Sequence, residues 1–271
     1  MEIPSKLGYI KSSKLYVIFS IPSIKGDRFM EINVLTFNIH HGVGIDKQAD
    51  LSRIVQVIEK SQADIIGLNE VDKHFSKRSL FEDQTKWLAK QLNTEYFFSP
   101  SLSFKSKNTN KVRQYGNALL SRFPILSKKS HSFNYIPGLI EGRSLLDATI
   151  QIDKKLYQIM VTHLSLNPFL HRKQINFIIN QFHKYPHPII MMGDWNMKPG
   201  TRGWRKLTDK VIDSWHVSGM GQGYTYPASL PKMRLDYIFV SPELQVVKSE
   251  VITHSLNASD HLPLKATISW H

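Results

Sequence analysis

The sequence predicts an α+β chain whose mainly antiparallel sheets pack face to face with helices outside. Strand-like apolar runs outnumber helical ones, and several follow one another with no helix between them. That order argues against an all-parallel, doubly wound sheet. No internal repeat, low-complexity tract or linker interrupts the chain from about residue 30 onward, so one domain accounts for it.

In chain order, residues 31–38 alternate Ile32, Val34, Leu35 and Phe37 with polar residues and read as a strand, left through a turn at 38–42. Residues 51–58 have helical spacing, with Asp50 placed as N-cap. Residues 63–70 read as a second buried strand that ends on Glu70, followed by a helix over 82–92 and a strand over 96–98. Residues 99–114 are polar and basic, with Lys105, Lys107, Lys111 and Arg113, and read as a surface excursion. Strands are expected over 116–121, 143–152 and 156–162, the last two joined by a hairpin turn at Asp153-Lys154. Residues 169–182 are helical, with Ile175, Phe177, Ile178 and Ile179 apolar. Pro188 then enters a short buried strand whose mouth is Gly193-Asp194-Trp195-Asn196. A short helix over 204–207 and strands over 235–240, 245–253 and 262–270 complete the chain.

Composition limits the function. The 271 residues are 41% hydrophobic and 21% charged, ordinary for a globular protein. The net charge of +13 is not ordinary and favours an anionic partner: nucleic acid, an anionic membrane surface or a phosphorylated small molecule. Cysteine is absent, which excludes disulfides and thiolate metal sites. A metal would be held by oxygen or imidazole, which suits Mg²⁺, Mn²⁺ or Ca²⁺. Near the N-terminus, Lys6, Lys11 and Lys14 precede the apolar run Leu15–Ile21, resembling an export signal. The run is too short to span a bilayer, Pro22 interrupts it, and no small-x-small cleavage site follows. Residues 1–29 read as a leader or N-terminal extension and residues 30–271 as a single catalytic domain. A cytoplasmic monomer is favoured over an exported protein.

Polar residues fall where strands end. Asn38, Glu70, His163, Asp194 with Asn196, Asp236, and Asp260 with His261 each lie at or beside the end of an apolar run. Gathered on one rim, they would bring together four carboxylates, two histidines and two amides. Burying that many acids costs several kcal/mol per ion unless a cation compensates, so a divalent metal is expected among them. Asp194 and Asn196, at i and i+2 of an extended backbone, would point the same way. The carboxylate can orient and deprotonate a water, and the amide can donate to a phosphoryl oxygen. A divalent cation among these acids would neutralise charge on a phosphoryl group, and Asp236 beside His261 would favour the charged imidazole. His40 and His41 stay open between a structural and a functional part.

These residues also carry a resemblance. Asn38 after its strand, Leu68-Asn69-Glu70, Gly116-Asn117-Ala118-Leu119-Leu120-Ser121, Thr162-His163-Leu164, Gly193-Asp194-Trp195-Asn196, Leu235-Asp236-Tyr237-Ile238 and Ser259-Asp260-His261 resemble, in order, the motif series of the endonuclease/exonuclease/phosphatase superfamily. That group includes deoxyribonuclease-I-like nucleases, apurinic endonucleases, neutral sphingomyelinases and inositol-polyphosphate phosphatases. The resemblance implies a four-layer α/β/β/α sandwich and Mg²⁺-dependent hydrolysis of a phosphoester. It implies that Glu70 is the principal metal ligand, with Asn38 and Asp260 at or near the metal. It implies that Asp194 activates water, Asn196 positions the phosphate, and Asp236 and His261 form a pair. His163 and Arg143 match residues near the phosphate, and Asn117 is kept as a supporting residue.

The substrate is less legible. An aromatic loop, Gly223-Tyr224-Thr225-Tyr226-Pro227, is expected beside the site. Trp195, Trp204 and Trp215 could stack on bases, though the core is favoured for at least two of them. A nuclease-like phosphodiesterase leads. Phospholipid or sphingomyelin phosphodiesterase and small-molecule phosphatase are alternatives, and a non-enzymatic phosphate-binding module comes last.

Overall fold

The computed structural model describes residues 30–105, 112–133, 142–255 and 257–270. The N-terminal basic and apolar run, and Lys107 and Lys111 of the basic excursion, lie outside the described residues. Residues Glu31–Trp270 form one compact unit.

The chain begins with β1 (Met30–Asn38), crosses over α1 (Leu51–Ser61) and returns as β2 (Ile65–Lys73), parallel to β1. A parallel pair needs such a crossover, and a helix supplies it. The α1 start is set by Asp50, whose carboxylate accepts from the Ser52 N–H at 2.9 Å, and its buried stripe is Ile54, Val57 and Ile58. Next come α2 (Gln84–Leu92), capped by Asp83, and the hairpin β3 (Glu95–Lys105) and β4 (Val112–Ser121). The second half opens with β5 (Ile125–Ser132), β6 (Ser144–Ile152) and β7 (Lys155–His163). It repeats the crossover through α3 (Pro168–Phe182) into β8 (Ile189–Asp194), parallel to β7. Asn167 caps α3 and Pro168 occupies its first turn, where a missing N–H is harmless. Then follow α4 (Arg202–Thr208), β9 (Ile212–Asp213), α5 (Ser214–Ser218), β10 (Asp236–Val240), β11 (Gln245–Val251) and β12 (Leu264–Trp270).

The strands form two six-stranded sheets, ordered β11-β12-β1-β2-β4-β3 and β5-β6-β7-β8-β10-β9. Three apolar clusters define the layers. One lies between the sheets, with Val34, Ile65 and Leu119 facing Leu146, Val161, Met192 and Ile238. A second packs Leu35, Phe37, Ile66 and Leu68 against Ile54, Ile58 and Leu88 of α1 and α2. The third packs Met160, Met191 and Phe239 against Ile175, Ile178 and Leu207 of α3 and α4. The expected four-layer α/β/β/α sandwich is therefore the fold, with β1 and β2 parallel in one sheet and β7 and β8 parallel in the other.

Local details differ from the sequence reading. Residues 99–114 are not an excursion: β3 runs to Lys105 and β4 starts at Val112, in register as a hairpin (Phe104 opposite Arg113). The strand β5 escaped notice because Ser127, Lys128, Lys129 and Ser130 carry no apolar alternation. It is an edge strand, where lysines discourage pairing with another chain. Nor does β2 end at Glu70; it continues to Lys73 through a bulge in which Asn69 and Glu70 together oppose Asn117.

Candidate active site

The carboxyl ends of β1, β2, β7 and β8 meet the start of β10 and the loop before β12, and the site is built there. The bulge in β2 gives Glu70 a left-handed backbone, φ 59, and turns its side chain to the sheet edge. Asn69, its neighbour, points between the sheets. Its amide donates to Asn117 Oδ1 at 2.8 Å and to the Thr162 carbonyl at 3.0 Å, and its oxygen accepts the Asp194 N–H at 2.8 Å. Asn117 passes the network on to the Ser144 carbonyl at 2.9 Å. One buried amide thus fixes β2 against β7 and β8. Gly193 is required beside it: at φ 141, a Cβ would stand 1.9 Å from the Thr162 carbonyl oxygen.

The predicted residues come together. The Asn38 Nδ2 donates to Glu70 Oε1 at 3.1 Å and to Asp194 Oδ2 at 3.2 Å, so one nitrogen joins carboxylates from the two sheets. The Asn38 oxygen accepts from the His40 N–H at 3.1 Å. In that orientation Asn38 braces the carboxylates; a place on a metal would require its oxygen to leave the His40 N–H. Asp194 Oδ2 also lies 3.5 Å from His163 Nε2 and 3.7 Å from His261 Nε2. Behind His261, Asp236 Oδ2 takes Nδ1 at 2.8 Å, and Tyr226 of the aromatic loop covers the ring at a centroid distance of 4.7 Å. The Asp236 N–H reaches Thr225 of the same loop at 3.4 Å. Asp194 and Asp236 are cross-strand partners in β8 and β10, which explains their proximity.

Asp260 is half-exposed, with Oδ1 4.0 Å from His40 Nδ1. Its neighbour Ser259 donates to the Asn38 carbonyl at 2.7 Å, holding this loop on the end of β1. Arg143 is buried and stands close enough to His163 for its charge to act on that ring. Asn196 corrects an expectation. Its φ of 46 breaks the extended backbone, so it does not project parallel to Asp194. Asp194 Oδ1 instead accepts the Asn196 N–H at 3.0 Å, an Asx turn, while Asn196 Nδ2 donates to the Leu164 carbonyl at 2.9 Å. Trp195 is core, edge-on to Phe239, and Trp204 and Trp215 pack partly buried against the apolar clusters.

Sequence reasoning gave Asn69 no part of its own, placed Tyr226 only within an aromatic loop beside the site, and left His40 and His41 open. His41 Nδ1 lies 3.5 Å from Glu70 Oε2, and potential ligand atoms of His40, His41 and Glu70 lie within 4.8 Å of one another. Consecutive histidines at the end of a strand, beside Asn38, were the available signal.

The electrostatics separate these groups. Burial lowers His261, but the charge and hydrogen bond of Asp236, with Asp194 and Asp260, outweigh it and raise the ring to about 10. Burial, then the charges of Arg143 and His261, push His163 well below the usual histidine range. Burial, Arg78 and His40 take His41 down to about 3. Burial raises the Asp194 carboxyl to about 7, His261 opposing and Asp236 assisting. At neutral pH the charged imidazole is therefore His261, while His163 and His41 are neutral. Asp236 Oδ1 is buried without a hydrogen-bond partner among the described residues. Glu70, Asp194, Asp236 and Asp260 outweigh the cations His261 and Arg143. Carboxylate oxygens, an amide and neutral imidazoles around that excess of negative charge fit a divalent cation.

Comparisons with known proteins place the chain in a family and match its fold. The model of the Endonuclease/Exonuclease/phosphatase family matches residues 35–261. An endonuclease/exonuclease/phosphatase structure from Beutenbergia cavernae is 25% identical with a TM-score of 0.73, over 89% of this chain and 72% of that one. A mannosyl-6-phosphatase from Bacteroides thetaiotaomicron is 17% identical with a TM-score of 0.70, over 88% of this chain and 99% of its own. The human Nocturnin catalytic domain with a bound sulfate anion is 22% identical with a TM-score of 0.65, over 89% and 95%. No curated protein matches the chain in sequence. Among the described residues, no helix is long and apolar enough to cross a membrane.

Proposed function

The chain belongs to the endonuclease/exonuclease/phosphatase family, a group of phosphoesterase- and nuclease-type hydrolases, and from that premise we propose that it is a Mg²⁺-dependent phosphodiesterase of nucleic acid. The observation that carries this reading is the Asn38 amide, shared between Glu70 and Asp194. It brings a metal-binding carboxylate and a water-activating one around a single atom. Glu70 and Asp260 would hold the ion, with Asn38, His40 and His41 beside them. When bound, the ion supplies charge neutralisation at the nonbridging oxygens of the phosphate.

The chain's own groups supply the rest. Asp194, with a pKa near 7, is suited to take a proton from the attacking water as the new P–O bond forms and the ester P–O bond breaks. Its neighbours hold that carboxylate from both sides, through Asn38 Nδ2 and the Asn196 N–H. Protonated His261 donates to a phosphoryl oxygen, and Asp236 fixes the ring through Nδ1 and keeps it charged. Neutral His163 and the Arg143 guanidinium complete the phosphate cradle, and the second hydrogen of the Asn196 side-chain amide donates to it. The leaving alkoxide takes its proton from solvent. Mannosyl-6-phosphatase on the same fold makes a phosphomonoester the second reading. The net charge of +13 favours the polyanion.

The test is a panel of plasmid DNA, short RNA, sphingomyelin vesicles, inositol phosphates, sugar phosphates and bis(4-nitrophenyl) phosphate, each with Mg²⁺ and with chelator. Magnesium-dependent cleavage of DNA or RNA, falling steeply with added salt, is expected. Turnover confined to monoesters or vesicles, or undiminished by chelator, would overturn the proposal.

A further inference from the structure

Past Asn196 the site opens into a cavity of about 640 Å³ between α3 and α4 that the chemistry above does not use. That volume is in the range of small-molecule sites, ~300–1,000 Å³. Its lining contains four cationic side chains, Arg172, Lys198, Arg202 and Lys206, and no carboxylate. All four are exposed at its rim. Lys206 is steered across the gap by Asn176, its Nζ donating to Oδ1 at 2.6 Å. The inner wall is apolar, from Ile175 and Met197, with Leu166 at the mouth. His171 ties α3 to the strand mouth through the Trp195 carbonyl, 2.9 Å from its Nε2. Asn196 joins the two places: its N–H bonds the Asp194 carboxylate and it lines the cavity.

A rim of one charge sign above an apolar wall suits a group that is anionic at one end and apolar at the other. On the phosphodiesterase reading the scissile phosphate takes the floor of the site, which leaves the cavity for a second one. Resting on the phosphodiesterase reading, we propose that this cavity binds the phosphate next to the scissile one in a polynucleotide strand, with the attached nucleoside against Ile175 and Met197. An inositol polyphosphate would bring the charge but leave the apolar wall uncovered. A lipid would keep its apolar part in the bilayer and out of a cavity walled by two helices.

The experiment compares dithymidine monophosphate with the same dinucleotide carrying an added phosphate at its 5′ or its 3′ end. Wild type should prefer one phosphorylated form by roughly tenfold or more in kcat/KM, through KM, as for one or more charge-assisted hydrogen bonds. In Arg172→Ala/Lys198→Ala, and separately in Arg202→Gln, that preference should fall towards unity, with melting temperatures confirming the fold. No preference in wild type, or a preference that survives both variants, would overturn the proposal. A preference shown only for inositol bisphosphate or anionic vesicles would overturn the polynucleotide assignment. Should wild type cleave neither the dinucleotides nor bis(4-nitrophenyl) phosphate, the phosphodiesterase reading fails. Calorimetric binding of the phosphorylated dinucleotide to Asp194→Asn then tests the cavity alone: binding lost with Arg172 and Lys198 supports it, and binding unchanged without them sinks it.

Discussion

At the rim of the site, His40, Glu70 and Asp260 are half-exposed, and His40, His41 and Glu70 all take left-handed backbone, φ 44, 51 and 59. At its floor, Asp194, Asp236, His163 and His261 are buried, and three of the four stand at ends of regular strands. The difference is physical. A hydrated cation must come and go, so its ligands belong where water reaches them. Left-handed conformations cost such residues about 1–3 kcal/mol, and persist where the surroundings over-determine them. Groups whose protonation must be fixed belong in low dielectric, where Asp236 can hold His261 charged and Arg143 can hold His163 neutral. The Asn38 amide joins the two parts, donating to Glu70 and to Asp194.

Substitutions on the two sides should therefore fail differently. The largest effect is expected at the floor. Asp194→Asn keeps the shape and removes the base, so kcat should fall by up to about 10⁴. Calorimetric Mg²⁺ affinity should stay within a few-fold of wild type. Unchanged turnover would remove Asp194 from its part, and lost Mg²⁺ binding would merge floor with rim. Next is His261→Ala, with a kcat loss of roughly 10²–10³ for one donor to a developing charge. A loss below threefold would make the ring structural. At the rim, Glu70→Ala should act on metal rather than on chemistry. The Mg²⁺ midpoint should rise by more than the roughly 10–100-fold typical of outer-shell groups, with kcat partly restored at high Mg²⁺. A titration superimposable on wild type would take Glu70 off the metal.

The floor was more legible in the sequence than the rim. Asp194, Asp236 and His163 terminate apolar runs, and a polar residue at the end of a buried strand is conspicuous in one dimension. Their convergence was not visible, because it depends on β8 and β10 being cross-strand partners. At the rim Glu70 and Asp260 were legible as acids at strand ends, but the bulge that carries Glu70 inside β2 was not, because a bulge changes the side-chain face without changing composition. Asn69 stood out only as a member of a motif, yet its bonds to β4, β7 and β8 tie the two sheets together. Asn196 misled because an i, i+2 argument assumes extended backbone, and its own φ is left-handed. The layers were recoverable from strand-rich patterning and ordered motifs; β5 was not, since an edge strand loaded with lysine has no apolar signature.

The smallest effect is a pH dependence confined to the floor. In protein freed of metal by chelator, His261 has its pKa raised from 6.5 to about 10. A raised histidine stabilises the fold fully below its unfolded value, and that contribution is lost as pH climbs through the folded one. Asp194 has the opposite sense: raised from 3.8 to about 7, it penalises the fold increasingly across that lower interval and no further above it. His163, held well below the ordinary value, is neutral in both folded and unfolded chains above about pH 7. The interval from pH 7 to 10 thus isolates His261 among these groups. Over it the melting temperature of Asp194→Asn, which keeps His261 beside Asp236, should fall more steeply than that of Asp194→Asn/His261→Gln, in which neither group titrates. Parallel slopes would show that Asp236 does not hold His261 charged, and the floor would lose its claim to a fixed protonation state while the rim kept its metal.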